Sequence, residues 1–439
     1  MKTPLRSFLL MTGILAAVVA MYSVMTDFGT RSLAAAGDQV QRVYFADHLS
    51  PAHRAVIAAF NEKHAGRIEV VAVDLPFSKF STNERKELLA RSLRSKSDRL
   101  DVFSVDYIWT PRFAKWCEDL APYFPERSRA DIIPPALQAC IIDGQLAAMP
   151  LYIDIGILYY RRDIIARLPD AAEVERRLRS SISWDEMFRL RDRLGYAGRP
   201  YYLFQANDYE GLICNYFEAI RGIDSNAFRD NRVDLRSPAA RAALRHLVGL
   251  VRERRVSPPS VVDFDENKSY EYMLRNDAVF VRGWPNFVEN FRKFYPDTSK
   301  FSAIGRAALP HFPGGRSTSV YGGWNLMVSK FSTKKAAAVE FVRYLQTEEA
   351  QRTMFELGGY IPVNGAVYRD SLFLARHPDL TYYRTLVGSG FHRPFIVDYT
   401  RISDIVSYYV HRALRGEIGP DEALDRASDM IESQALLIR

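Results

Sequence analysis

The sequence predicts an α/β fold built on mainly parallel sheet, and three observations lead there. Apolar runs of strand length alternate with helical stretches over the first hundred or so residues, the pattern of consecutive βαβ units. Ser50-Pro51, Ser183-Trp184-Asp185-Glu186 and Ser237-Pro238 each place an N-cap before a first-turn proline or a capping-box glutamate. A chain of 439 residues that is 48% hydrophobic can bury a large core, and its length favours two or three domains over one.

The first 36 residues differ from the rest. Lys2 and Arg6 precede an uncharged apolar run from Phe8 to Met25, and Leu33-Ala34-Ala35-Ala36-Gly37 offers small residues in an A-x-A arrangement. This is the layout of an export signal cleaved after Ala36; the length of the run also suits an uncleaved membrane anchor. Either places the remainder outside the cytoplasmic membrane, in the periplasm.

Val43–Ala46 reads as the first strand, followed by a helix from Ser50-Pro51 to about His64 whose buried face carries Val56, Ala59 and Phe60. Ile68–Val73 and Leu100–Val105 are the next strands, with helical sequence over Glu84–Leu93. In parallel sheets the crevice lies beyond the strand C-termini. Asp47-His48 and Asp106-Tyr107-Ile108-Trp109 follow two such ends and are expected to face one crevice. Asp106 is also a candidate N-cap for a helix near Thr110-Pro111.

Residues 150–163 place one carboxylate, Asp154, inside an apolar strand. Strand alternation puts Tyr152 and Asp154 on the same side, an aromatic face beside a hydrogen-bond acceptor. A sugar needs both. Later helices are expected over Gly211–Ile220, from Ser237-Pro238 to the basic run Arg252–Arg255, and over Lys335–Leu345, Glu348–Leu357, Arg401–Arg415 and Pro420–Ile431. Strands are expected at Ala278–Gly283, which leads into Trp284, and at Val320–Val328, where Gly322-Gly323 precede Trp324. Paired glycines beside a large ring point to close backbone approach.

The formal charge of +7 falls to +5 without residues 1–36, which carry Lys2, Arg6, Arg31 and Asp27. With no concentrated basic stripe, nucleic acid is excluded as a partner. Cys117, Cys140 and Cys214 show no C-x-x-C spacing; buried free thiols are expected, a Cys117–Cys140 bridge being the alternative. No metal site or cofactor is expected. The chain lacks G-x-S-x-G, H-E-x-x-H and G-x-x-x-x-G-K-[ST], so no catalytic residues are assigned and the protein is read as a non-enzyme. Glycoside hydrolysis by Asp106 and Asp154 is the rival reading.

The order of Asp101-Val102-Phe103 with Asp106 and Trp109, the 150–163 segment, Gly283-Trp284, Leu309-Pro310 through Gly322-Gly323-Trp324, Ala337–Phe341, Glu348–Gln351 and Ile361–Asn364 resembles the extracellular solute-binding proteins of bacterial ABC sugar importers, of the maltose/trehalose-binding type. The resemblance spans roughly residues 40–433. It implies a periplasmic-binding-protein (Venus-flytrap) fold, two α/β lobes joined by crossing hinge strands. On that pattern residues 38–152 and 304–348 form lobe I, while 153–303 and 349–439 form lobe II.

Carried over residue by residue, the resemblance implies that Asp106 and Asp154 accept sugar hydroxyls with Tyr152 as aromatic companion. Trp284 and Trp324 would stack on the sugar, Gly323 would touch it through its backbone, and Arg393 would supply a cationic donor. Asp47, His48, Trp109, Tyr209 and Glu210 are further candidates. The bland alternatives are core packing for the two tryptophans and an ion pair of Asp154 with Arg161 or Arg393. The implied partners are a small carbohydrate, most simply a glucose-containing disaccharide, and ABC permease subunits, with the protein itself monomeric. A membrane-tethered receptor serving a sensor, or a binder of polyamine, phosphonate or ferric ion, keeps the fold with another task; iron would draw on tyrosine pairs such as Tyr159-Tyr160 and Tyr201-Tyr202.

Overall fold

The computed structural model describes residues 40–76, 79–80, 82–292, 299–434 and 437; the export signal or anchor expected over residues 1–36 lies outside them. Two sheets organise the chain into two α/β lobes. The first runs in the order Gly390–Phe391, Ser319–Val328, Val102–Asp106, Gln41–Asp47, Ile68–Asp74, with Met149–Ile155 also paired to Ser319–Val328. The second runs Ile304–Ala307, Ile157–Arg161, Phe280–Gly283, Tyr202–Leu203.

The expected parallel pairing holds for the three N-terminal strands. It fails for Ser319–Val328, which is antiparallel to Val102–Asp106 and to Met149–Ile155, and for most of the second sheet. The cause is the crossing topology. A strand arriving from the other lobe enters a sheet from the cleft end and so runs against strands that lead toward the cleft.

The crossings also correct the expected boundaries. Met149–Ile155 belongs to the first sheet and Ile157–Arg161 to the second, so the chain passes over at Gly156 rather than between residues 152 and 153. Ile304–Ala307 pairs within the second sheet, and the return to lobe I comes after it. Glu348–Gly358, assigned by sequence to lobe II from residue 349 on, packs on Pro51–Lys63 of lobe I. Tyr399–Arg415 and Pro420–Glu432 do pack on the lobe II helices Glu210–Ile223 and Pro238–Arg252.

Local signals explain where the helices start. Ser50, Ser183 and Ser237 each accept a hydrogen bond from the backbone N–H three residues on, and the Glu186 carboxylate accepts one from the Ser183 backbone N–H. Such caps are each worth about 1 kcal/mol. Interlocked rings hold lobe I together: Phe341 meets Phe45 at 5.3 Å and Phe60 at 5.1 Å, edge to face in both cases. Cys117, Cys140 and Cys214 are free and buried, so the alternative Cys117–Cys140 bridge is not made.

Candidate binding cleft

Sheet register assembles the lobe I side of the site. Trp324 stands opposite Asp106 on one neighbouring strand and opposite Tyr152 on the other, and Gly322 stands opposite Asp154. Directly opposed residues share a face, as do residues two apart, so Tyr152, Asp154, Trp324 and Asp106 line one surface. A β-carbon on Gly322 would lie 2.9 Å from Trp284 Cζ3, 3.1 Å from Cη2 and 3.2 Å from Asp154 Cβ. Lobe II thus presses the Trp284 indole onto the lobe I sheet where glycine leaves room.

Trp284 is held by its own lobe. Its backbone N–H donates to Tyr270 Oη at 2.9 Å, its carbonyl accepts from Tyr159 Oη at 2.8 Å, and its Nε1 donates to Glu266 Oε1 at 3.2 Å. Tyr209 donates to the other oxygen of Glu266 at 2.7 Å. The Arg282 guanidinium stacks on the indole with Cζ 3.9 Å from the ring centroid. Burial raises the Glu266 carboxyl above its ordinary range.

Asp154 is 5% exposed, and its Oδ1 has no hydrogen-bond partner among the described residues. Burial, with the charge of Asp106, lifts its carboxyl to about 7, and Arg282 pulls the other way. The ion-pair alternative is not realised: Arg161 binds Asp163 and Asp277, while Arg393 binds Glu210 and Asp106. An acceptor buried without a donor is costly unless something completes it. Tyr152 packs on Tyr360 at 4.4 Å between ring centroids.

Arg393, 1% exposed, joins the lobes. Its Nη1 reaches Glu210 Oε1 at 2.6 Å and its Nη2 reaches Asp106 Oδ1 at 3.1 Å; Tyr399 Oη donates to the same Glu210 oxygen at 2.5 Å. Asp106 also caps the turn Tyr107–Trp109 through the Ile108 N–H. The expected capping role is therefore real, one short turn earlier than the segment near Thr110-Pro111.

Contacts of their own hold the remaining candidates. Asp47 is committed to Arg85 at 3.0 Å and faces His53 at 3.4 Å. Burial pushes its carboxyl up, but His53 and Arg85 outweigh this and bring it down to about 2. Burial lowers His48 to about 4. Trp109 is 2% exposed in the core, with the Lys86 ammonium 5.4 Å from its ring. Gly323 has φ +122°, and a β-carbon there would collide with the Tyr152 carbonyl; the neighbouring strand alone requires glycine. Tyr159 and Tyr201 spend their hydroxyls on backbone carbonyls. Among the described residues no group of three or more His, Cys, Asp or Glu could hold a metal ion.

Sequence reading missed Arg85, Tyr360, Glu266 and Arg282. Arg85 stacks on Trp324 at 4.3 Å, yet in sequence it is one charge in the helical stretch Thr82–Arg94. Arg282, two residues before Trp284 in a buried strand, carried the one usable signal: a buried strand cation needs a partner.

Residues 45–352 match the family described as bacterial extracellular solute-binding protein. A probable ABC transporter-binding protein of Deinococcus radiodurans is 26% identical over 355 residues, covering 78% of this chain and 82% of that one. Maltose-bound MalE3 of T. maritima superposes with a TM-score of 0.80 at 25% identity, over 90% of this chain and all of the other. The GacH receptor of Streptomyces glaucescens, solved unliganded and with acarbose, does so with a TM-score of 0.75 at 19% identity, over 90% of this chain and 98% of its own. With the matched region spanning well over half of the sequence, the chain belongs to the bacterial extracellular solute-binding proteins.

Proposed function

We propose that the protein is the exported substrate-binding component of an ABC importer, capturing a carbohydrate in the interlobe cleft and delivering it to permease subunits in the cytoplasmic membrane. The observation that carries this is the meeting of Trp284 from lobe II with Gly322 and the unpartnered Asp154 of lobe I. Ring faces cover the apolar C–H faces of a sugar, and a buried carboxylate accepts its hydroxyls. A glucose-containing disaccharide such as maltose, trehalose or sucrose is the substrate we assign. This fits the maltose held by the T. maritima relative. The protein works as a monomer in the periplasm and performs no chemistry. Closure is a hinge rotation at the crossing strands, with contacts to both lobes made together only when closed.

Tyr152, Asp154, Trp284 and Trp324 form the proposed contact set, with Asp106, Arg393 and Glu210 beside it. Calorimetric titration with maltose, trehalose and sucrose tests the assignment. At least one is expected to bind in the micromolar range or tighter; nothing tighter than millimolar would overturn it. Release of free glucose from a bound disaccharide would point instead to hydrolysis.

A further inference from the structure

We propose that Arg282 is a positioning residue of the cleft: through Glu218 it ties the crossing strands to the Trp284 ring and the Asp154 carboxylate, so that hinge geometry and ligand grip are set together. The inference rests on the carbohydrate reading for its ligand. Its structural half stands without it.

Arg282 is wholly buried on the central part of the second sheet. Its Nη2 and Nε both reach Glu218, at 2.7 and 3.2 Å, and Gln205 donates to its carbonyl at 2.9 Å. Glu218 Oε1 also accepts from Ser319 Oγ at 2.8 Å and from the Val320 N–H at 3.3 Å, at the start of the strand that re-enters lobe I. Gly156, where the chain first passes between the lobes, lies over the same group: a β-carbon there would stand 2.5 Å from Glu218 Oε1 and 2.6 Å from Arg282 Nη2. Two of the crossings therefore touch one buried ion pair.

The outer side of the guanidinium faces the cleft machinery. It stacks on Trp284 at 3.9 Å, and its Nη1 is buried without a hydrogen-bond partner among the described residues. Its charge is the cationic influence on Asp154, whose Oδ1 is likewise unpartnered. An orphan donor and an orphan acceptor flanking one indole suit a hydroxyl, which accepts and donates at once. The other titratable groups acting with Asp154 are Asp106, Tyr152, Tyr270 and Tyr360. None of them is a cation; Arg282 is the cation that opposes the burial and the Asp106 charge raising the Asp154 carboxyl.

The test compares wild type, Arg282→Lys and the double variant Glu218→Gln/Arg282→Gln, which removes both charges and strands neither. The Asp154 carboxyl is titrated by NMR in ligand-free protein, and maltose and trehalose are titrated by calorimetry across about pH 5 to about pH 9. The expected result is an Asp154 midpoint about one unit higher in the double variant. Sugar affinity should fall about tenfold or more near neutral pH, with the midpoint held close to wild type by Arg282→Lys. An unmoved midpoint in the folded double variant overturns the proposal, as does unchanged affinity where the wild type binds. If neither sugar binds wild type, the carbohydrate reading fails, and the ligand-free titration still decides the role of Arg282.

Discussion

Trp284 lies against Gly322 across the two lobes, with Cζ3 only 2.9 Å from where a β-carbon would stand. Gly322 does not have a left-handed backbone among the positive-φ glycines, so the requirement for glycine there is one of space. Gly322→Ala should displace the Trp284 ring rather than break the strand. The expected outcome is sugar affinity reduced about tenfold or more, with a melting temperature within a few degrees of wild type. Calorimetry and thermal denaturation together check it.

Asp154 makes a pH prediction. Its carboxyl stands at about 7 against an ordinary 3.8, so the folded state holds this proton more tightly than the unfolded state does. Its ionisation therefore destabilises the fold progressively as pH rises from about 4, and the effect levels off above about 7. Asp154→Asn should match wild type below about pH 4 and be more stable, by an order of a few kcal/mol, above about pH 7. Sugar binding should be weakened in the variant. Melting curves across this range that stay parallel would contradict the assignment.

Arg393 should behave in the opposite way. It neutralises Glu210 and Asp106 in a buried group, and Arg393→Met leaves two carboxylates facing each other. A loss of about 3–5 kcal/mol in urea unfolding is expected. Adding Glu210→Gln should recover part of it, because one uncompensated charge is then gone.

The capping box provides a control far from the cleft. Ser183→Ala removes the bond accepted from the Glu186 N–H at 3.2 Å, and should cost about 1 kcal/mol. Sugar affinity measured alongside should not change.

These residues show what was legible in the sequence. Ser50-Pro51, Ser183–Glu186 and Ser237-Pro238 encode helix starts within four residues, so the helices over 51–63, 184–193 and 238–252 begin where expected. Asp154 and the Gly322-Gly323-Trp324 run stood out because a carboxylate in an apolar strand and paired glycines beside a ring are locally anomalous. Arg85 and Glu266 did not stand out, since a charge on a helix usually means a solvated face; only the packing against Trp324 and Trp284 shows otherwise. The lobe boundaries failed for a related reason. Ile304–Ala307 and Glu348–Gly358 are ordinary elements whose lobe is decided by partners far away in the chain.

The central claim is that a sugar is gripped between Trp284 of one lobe and the Trp324 face of the other. Calorimetric titration of Trp284→Ala and Trp324→Ala with the disaccharide that wild type binds tests it most directly. Each substitution is expected to weaken binding about tenfold or more while far-UV circular dichroism stays native. Wild-type affinity in both folded variants would contradict it.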